Sequence, residues 1–449
     1  MLRIFMFVSL LLAGRQSLTL AQGAMHNDSV GAVSTSKRVF TIEQLFELVE
    51  SNSKVVSAQK ECAESAAYGV EVAKSKRLPD VDVSLSMSYI GNALITDRNF
   101  SNVHGLRSPH LGNDFSLQAQ QVVYAGGAID AGVRMAQLGK KKADAGVRMT
   151  RQRVRFITLG QFLDLCKVDN RMLVYEKNIE LTNRLIADIK ERQLQGMALK
   201  NDITRYELQM ESLKLELASL RNTRSILNHQ LCNTLGLDAD VCIVPDDKLA
   251  NGVFGKDGEW HWQTVAAASS PQLELSGLDV HIAEQNEKLA KSDMLPKVAI
   301  VAANNFNGPV LFELPPVNKN LNVWYLGVGV KYSLGALYKN NKKVRKAAVE
   351  VKQARELHGV EAERLNNDVQ EAYVKYLQTY VELDTQRKSV ELARQNYEVI
   401  NSRYLNQLAL VTDMVDASNL CLKAELQEVD ARIGIVYAFY RVKYVAGDI

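Results

Sequence analysis

The chain has 449 residues, 47% of them hydrophobic and 23% charged, with a formal net charge of +3. That length fits two or three ordinary domains or one large elongated one. So small a basic excess argues against a nucleic-acid binder, and no zinc-finger or RNA-binding signature accompanies it.

The first residues read as a secretory leader over 1–21. Arg3 supplies the positive region, Ile4 to Ala13 the short apolar stretch, and Thr19-Leu20-Ala21 the small-residue cleavage site. Arg15 interrupts too early for a spanning helix, and no cysteine precedes Cys62 to carry a lipid at the leader junction. Residues 22–40 form an extension. No later stretch reaches the roughly 18 apolar residues of a transmembrane helix, so the chain either stays outside the lipid or enters it as strands.

Thr41 to Arg77 reads helical and stops at Leu78-Pro79, because a residue before proline disfavours helix. The period then changes from helix to strand. Val81, Val83, Leu85, Met87 and Tyr89 alternate with Asp82, Ser84, Ser86 and Ser88, about the length a tilted strand needs to cross a bilayer. After a polar stretch holding Gly91, Gly105, Pro109 and Gly112, a weaker alternation over Asp114 to Tyr124 completes a hairpin over 81–124. A proline-free run from Ala128 to Leu194 follows, roughly 100 Å long if helical. The return segment carries Tyr206, Met210, Leu213, Leu217, Leu220, Arg224, Leu227 and Leu231 in heptad spacing, with Arg224 alone out of character.

Gly236 to Gln263 reads as a connector, with Trp260 and Trp262 forming a small equatorial patch against the helices. The design then repeats: a helix to Leu295-Pro296, strands Val298 to Phe306 and Asn322 to Leu334 as a hairpin over 298–334, and a long run from Ala336 to Leu405. Aromatics fall near both strand ends, as an interfacial girdle places them. The repetition is visible in the letters. Ala73 to Val81 returns as Ala290 to Val298 at an offset of 217, while Val133-Arg134-Met135-Ala136 and Ala198 to Asp202 return as Val344-Arg345-Lys346-Ala347 and Ala409 to Asp413 at 211. The six-residue slack therefore lies between Val81 and Val133. The heptad equivalents in the second copy, from Ala417, Cys421 and Ala424 to Val442, are mostly small. The repeats run over 41–235 and 264–449.

Five cysteines make no disulfide framework. Cys232 and Cys242 flank a loop and are candidates for pairing, whereas Cys62, Cys166 and Cys421 read as small core residues. Four strands cannot close a barrel, so membrane insertion demands oligomerisation.

In this plan of helix, strand hairpin and long helical hairpin, twice over, with Leu78-Pro79 and Leu295-Pro296 at the junctions and tips at 193–203 and 404–416, the chain resembles the TolC family of outer-membrane efflux channels over its mature length. The resemblance implies a mixed α and β membrane protein: a homotrimer with a twelve-stranded outer-membrane barrel continued by a periplasmic helical coiled-coil barrel. It also implies a passive exit duct for efflux or type I secretion, seated in outer-membrane lipid. The partners it implies are a periplasmic adaptor and an inner-membrane pump of RND, ABC or MFS type.

The resemblance places the pore constriction at Asp202, Tyr404, Asp413 and Asp416, where carboxylates ring a narrow mouth and favour cations. Spacing alone also permits Asp202, Asp413 and Asp416 to be helix N-terminal acids that complement the dipole just past the turn. The arginine that partners the gate tyrosine in the family falls at Ala409 here. Gly196 keeps the turn glycine in copy one and Gln407 replaces it in copy two. Met197, Ala198 and Leu199, with Leu408, Ala409 and Leu410, form the adaptor-contact knobs. Two basic clusters, Arg134, Lys140, Lys141, Lys142 and Arg148, and Lys342, Lys343, Arg345, Lys346 and Lys352, read as lipid or tunnel contacts or as solvated helix faces.

No metalloprotease, phosphate-loop or nucleophile-elbow motif occurs, so no catalysis, metal or cofactor is expected. The competing reading is a soluble periplasmic coiled-coil adaptor or scaffold, in which the alternating segments form a water-soluble β domain.

Overall fold

The computed structural model describes residues 36–246, 255, 257–313 and 315–449, so the leader and most of the extension lie outside the described residues. The accessible surface is 30289 Å². A globular monomer of this 50.0 kDa mass exposes about 17,000 Å². The chain is elongated, and much of its apolar surface faces outward.

Its elements run in two parallel sets. The first comprises β1 (Ser36–Phe40), α1 (Ile42–Asn52), α2 (Lys54–Ser75), β2 (Asp80–Tyr89), β3 (Ala93–Ile95), β4 (His104–Leu106), β5 (Leu111–Tyr124), α3 (Ala128–Leu194) and α4 (Lys200–Leu235). The second comprises β6 (Val241–Pro245), α5 (Glu259–Ser269), α6 (Pro271–Ser292), β7 (Lys297–Gly308), β8 (Leu321–Lys331), α7 (Leu334–Leu405) and α8 (Val411–Ala446). The segment expected to be one helix from Thr41 to Arg77 is two, broken where Ser53 turns extended at ψ 116°. Ser270, at the repeat offset of 217, breaks the second copy with ψ 114°, and Pro271 opens the next helix there.

The long helices α3 and α7 have 67 and 72 residues. Each is flanked by a short helix toward the sheet (α2, α6) and by its return helix toward the tip (α4, α8). Contacts of α3 with α6 and α8 join the two copies. Two of the three buried clusters lie at mid-height. One gathers Leu45, Val49, Phe162, Leu165, Leu231 and Ile243. The other holds Trp262 against Tyr376, Leu383 and Val442. The third is at the tip, around Tyr206, Ile189 and Met414.

At mid-height β1 pairs in parallel with β6, an association the sequence reading did not anticipate. Arg224, out of place in the leucine seam, ties β6 of this pair to α3. Its guanidinium binds Asp169 of α3 at 2.6 Å and donates to the Ile243 carbonyl of β6 at 3.1 Å. Asn228, one turn on, bonds Val241 and Ile243 at 2.8 Å each. Burial pushes the Asp169 carboxyl up and the Arg224 ion pair pulls it back down. Cys232 and Cys242 are free thiols engaged elsewhere, the first donating to the Val241 carbonyl and the second accepting from Arg224. Cys166 is buried, but Cys62 is exposed, contrary to the core placement expected for it, because α2 buries only a narrow stripe at Val56 and Val70.

The hairpins form one antiparallel sheet in the order β2-β5-β7-β8. Its register aligns the alternation of all four strands. Val83 pairs with Leu117, Leu117 with Asn304, and Asn304 with Trp324; one rung on, Leu85, Phe115, Phe306 and Asn322 align, with the two phenylalanine rings stacked at 6.0 Å. Apart from Asn304 and Asn322 these residues are apolar, and Leu85, Leu326 and Val328 are exposed on the same side. The opposite side carries Ser84, Ser86, Ser116, Gln118, Asn305 and Gly327. A bulge between Val122 and Tyr124 brings Tyr124 opposite Val298, and so onto the apolar side.

Val81 pairs with Ala119, and Val298 with Val330. The first strands therefore correspond at 217 and the second strands at 211, which confines the six-residue slack to the connection 90–110, where β3 and β4 pair as an extra ribbon.

Candidate functional site

At the end opposite the sheet, α3 and α7 turn back through two loops of one design. Each long helix ends with a residue in the left-handed region, Gly196 (φ 73°) and Gln407 (φ 61°). The following amide closes the turn onto a carbonyl five residues back: Met197 to Arg192 at 2.9 Å and Leu408 to Arg403 at 2.8 Å. Glycine reaches that conformation freely. Glutamine does so at a steric cost.

The return helices begin alike. The Asp202 carboxylate accepts from the Leu199 amide at 3.0 Å, and Asp413 accepts from Leu410 at 3.0 Å, each satisfying an otherwise unpaired amide at a helix start. The dipole-complementing role open to these two acids is thus the one their geometry displays. Asp416, one turn further along α8, is exposed and makes no hydrogen bond or ion pair among the described residues.

The tip is closed inside by side chains from both copies. Tyr206 is 1% exposed and packs with Ile186, Ile189, Ile203, Met210, Val411 and Met414. Tyr404 and Tyr397 lie half-buried at its edge. Burial pushes the Tyr404 hydroxyl above the usual tyrosine value; Asp202 pushes in the same direction and Arg192 against it. Tyr206 is raised further, by burial first and then by its neighbours Tyr397, Tyr404 and Asp202. Its hydroxyl has no hydrogen-bond partner among the described residues.

Tyr404 and Asp202 are therefore brought together, whereas Asp413 and Asp416 stand on α8. Arg192 is the tip residue sequence reasoning passed over. Its guanidinium donates to the Leu405 carbonyl at 3.2 Å, tying the end of α3 to the end of α7. Ala409 leaves no arginine where the family pattern expects one, and Arg192 supplies a cation from the other copy. The available signal was its equivalence to Arg403 at offset 211, since both sit in the last turn of a long helix. Of the knob residues, Leu199, Leu408 and Leu410 are 71%, 76% and 70% exposed, Met197 is exposed, and Ala198 and Ala409 are half-buried.

The chain thus sets a sheet with two open edges on helices roughly 100 Å long. Residues 262–443 match the model of a family described as outer membrane efflux protein. No curated protein matches the sequence. Among solved structures, the outer membrane protein VceC of Vibrio cholerae is similar at 13% identity and a TM-score of 0.73, covering 90% of this chain and 96% of its own. The Campylobacter jejuni CmeC outer membrane channel is similar at 14% identity and 0.71, covering 97% and 94%. The MtrE outer membrane channel of Neisseria gonorrhoeae, solved in its open state, is similar at 12% identity and 0.71, covering 97% of each chain.

Proposed function

We propose that the protein is the outer-membrane exit duct of an efflux or secretion assembly, passive itself and fed by an inner-membrane pump through a periplasmic adaptor. The observation that carries this is the sheet. Its mainly apolar side extends across all four strands, interrupted by Asn113, Gln121, Asn304 and Asn322, while β2 and β8 leave their outer edges unpaired. Unpaired backbone in lipid costs several kcal/mol per group, so neighbouring copies must pair β8 with β2 until the ring closes; three copies give twelve strands. A soluble adaptor or scaffold would leave Leu85, Met87, Leu326 and Val328 facing water.

The repeat supplies a register for the closing joint. Ala119 faces Ala302 within the chain. Transferring each partner by its own offset sets Val330 opposite Leu85 of the next copy, and Gly329 opposite Ser86. Chains carrying both Ser86→Cys and Gly329→Cys should form a covalent trimer under mild oxidation, seen on a denaturing gel. Chains carrying either change alone should stay monomeric on that gel; a double variant that also stays monomeric overturns the ring.

At the tip, Asp202, Tyr404, Asp413 and Asp416 are assigned to the constriction, and Gly196 to Leu199 with Gln407 to Leu410 to adaptor contact. Asp416 supports the first assignment because its carboxylate is committed to nothing within the chain. The exposed leucines support the second. In planar bilayers Asp416→Asn should lower cation preference, with a smaller loss for Asp413→Asn, whose carboxylate is already engaged by a backbone amide. An unchanged reversal potential in the double variant removes the acidic ring.

A further inference from the structure

The basic cluster below the sheet divides by partner. Lys142 and Arg148 bind Asp279 and Glu274 of α6, and Lys343 binds Asp293, so these residues fasten the long helices to α6. Arg134 has no acidic partner among the described residues, and neither does Lys288 on α6. Both line a cavity of about 310 Å³ whose wall includes Gly126, Gly127 and the first turn of α3.

Three features of that cavity point to a ligand. Gly127 caps α3 without a side chain, which leaves the amides of Ile129 and Asp130 without a backbone acceptor among the described residues, and the positive helix end faces outward. Asp130 and Lys291 are already neutralised by Arg77 and Glu287, so Arg134 and Lys288 remain as net positive charge. Gln285 is 8% exposed, its amide oxygen has no partner, and it lines both this cavity and an adjoining one of about 950 Å³ whose wall mixes Glu64, Asp144 and the Glu71–Lys74 pair with Lys140 and Lys141. A buried acceptor of this kind calls for a donor.

We propose that the cavity holds a phospholipid headgroup carrying both a phosphate and an ammonium. The phosphate lies against the start of α3, Arg134 and Lys288; the ammonium donates to the Gln285 oxygen. The depth fits a lipid surface. The apolar side of the sheet ends at Tyr124 and Val330, and exposed Leu78, Leu334 and Tyr338 mark the boundary just below. Arg134 is about 10 Å further down α3, within side-chain reach of a headgroup layer roughly 5–8 Å thick.

This rests on the reading that the sheet is embedded in a membrane. The test uses the purified full-length trimer in detergent, with binding read by native mass spectrometry. Three probes are compared: short-chain phosphatidylethanolamine; phosphatidylcholine, whose head lacks a donor; and inorganic phosphate. Phosphatidylethanolamine should bind most tightly. Arg134→Ala with Lys288→Ala should weaken it at least about tenfold, and Gln285→Leu should bring it to the phosphatidylcholine level. Lys342→Ala is the surface control and should change nothing. Wild-type-like binding by the double variant, equal binding of the two lipids, or equal binding of free phosphate overturns the site. A trimer that conducts ions yet fails this test defeats the site alone, whereas a protein that neither trimerises nor enters bilayers defeats the reading beneath it.

Discussion

The two helical hairpins share a turn, a cap and a return helix of 36 residues, yet Tyr206 and its equivalent Ala417 fill their tips differently. Tyr206 in the first and Ala417 in the second occupy equivalent positions and are 1% and 2% exposed. The same holds along the seam, where Leu213 answers to Ala424 and Leu231 to Val442, all buried. The two hairpins meet where α3 packs against α8, and α8 is the return helix whose buried positions are mostly small. The duplication preserved the backbone and divided the volume. Burial is thus a property of the position, while the side chain that achieves it belongs to the copy.

The largest expected effect tests that division directly. Tyr206→Ala should cost about 3–5 kcal/mol, because it empties a closed cluster to which both copies contribute. Ala417→Leu should cost about 1–3 kcal/mol by overpacking the complementary site. Thermal unfolding of the detergent-solubilised protein by circular dichroism reads both, and equal, small losses would mean that the hairpins do not interlock. Tyr206→Phe is the sharper control. Its hydroxyl has no partner, so the change should be neutral or stabilising.

The caps come next. Asp202→Ala and Asp413→Ala should each cost about 1 kcal/mol, since each frees a helix-start amide. Asp416→Ala should stay within about 0.5 kcal/mol. If Asp413 and Asp416 prove equal in the same melts, the distinction between a capping and an uncommitted acid fails. The turns give the smallest effect. Gln407→Gly should stabilise by about 0.5–1 kcal/mol by relieving a left-handed glutamine, and Gly196→Gln should destabilise by about 1–2 kcal/mol. Opposite signs at equivalent positions are the outcome that preserves the comparison.

Much of this architecture was legible because it is periodic. The alternation of Val81 to Tyr89 and the proline-free run from Ala128 to Leu194 each repeat one local rule many times. What escaped was short or distant. β6 is five residues in a polar connector, and its partner β1 lies some two hundred residues earlier, so neither announces the other. Arg224 looked like an error in a heptad until Asp169 and Ile243 appeared beside it. The break at Ser53 has no local mark, though Pro271 marks its equivalent, and comparing the copies would have carried it across. Cys62 shows the limit of assigning burial by residue type, because it sits on a helical pattern whose buried stripe passes elsewhere. At the tip, Asp202 and Asp413 were readable as caps from position alone, but the Arg192 tie to Leu405 needed three dimensions.

The surface excess of the single chain, 30289 Å² against about 17,000 Å² for a globular monomer of this mass, has a thermodynamic consequence. In the proposed ring, much of the burial that holds the protomer together would come from other copies and from lipid, which makes its stability a function of concentration. Dilution should lower the midpoint of unfolding, as mass action requires of any fold completed by its neighbours. For such a chain, being folded and being assembled are a single equilibrium.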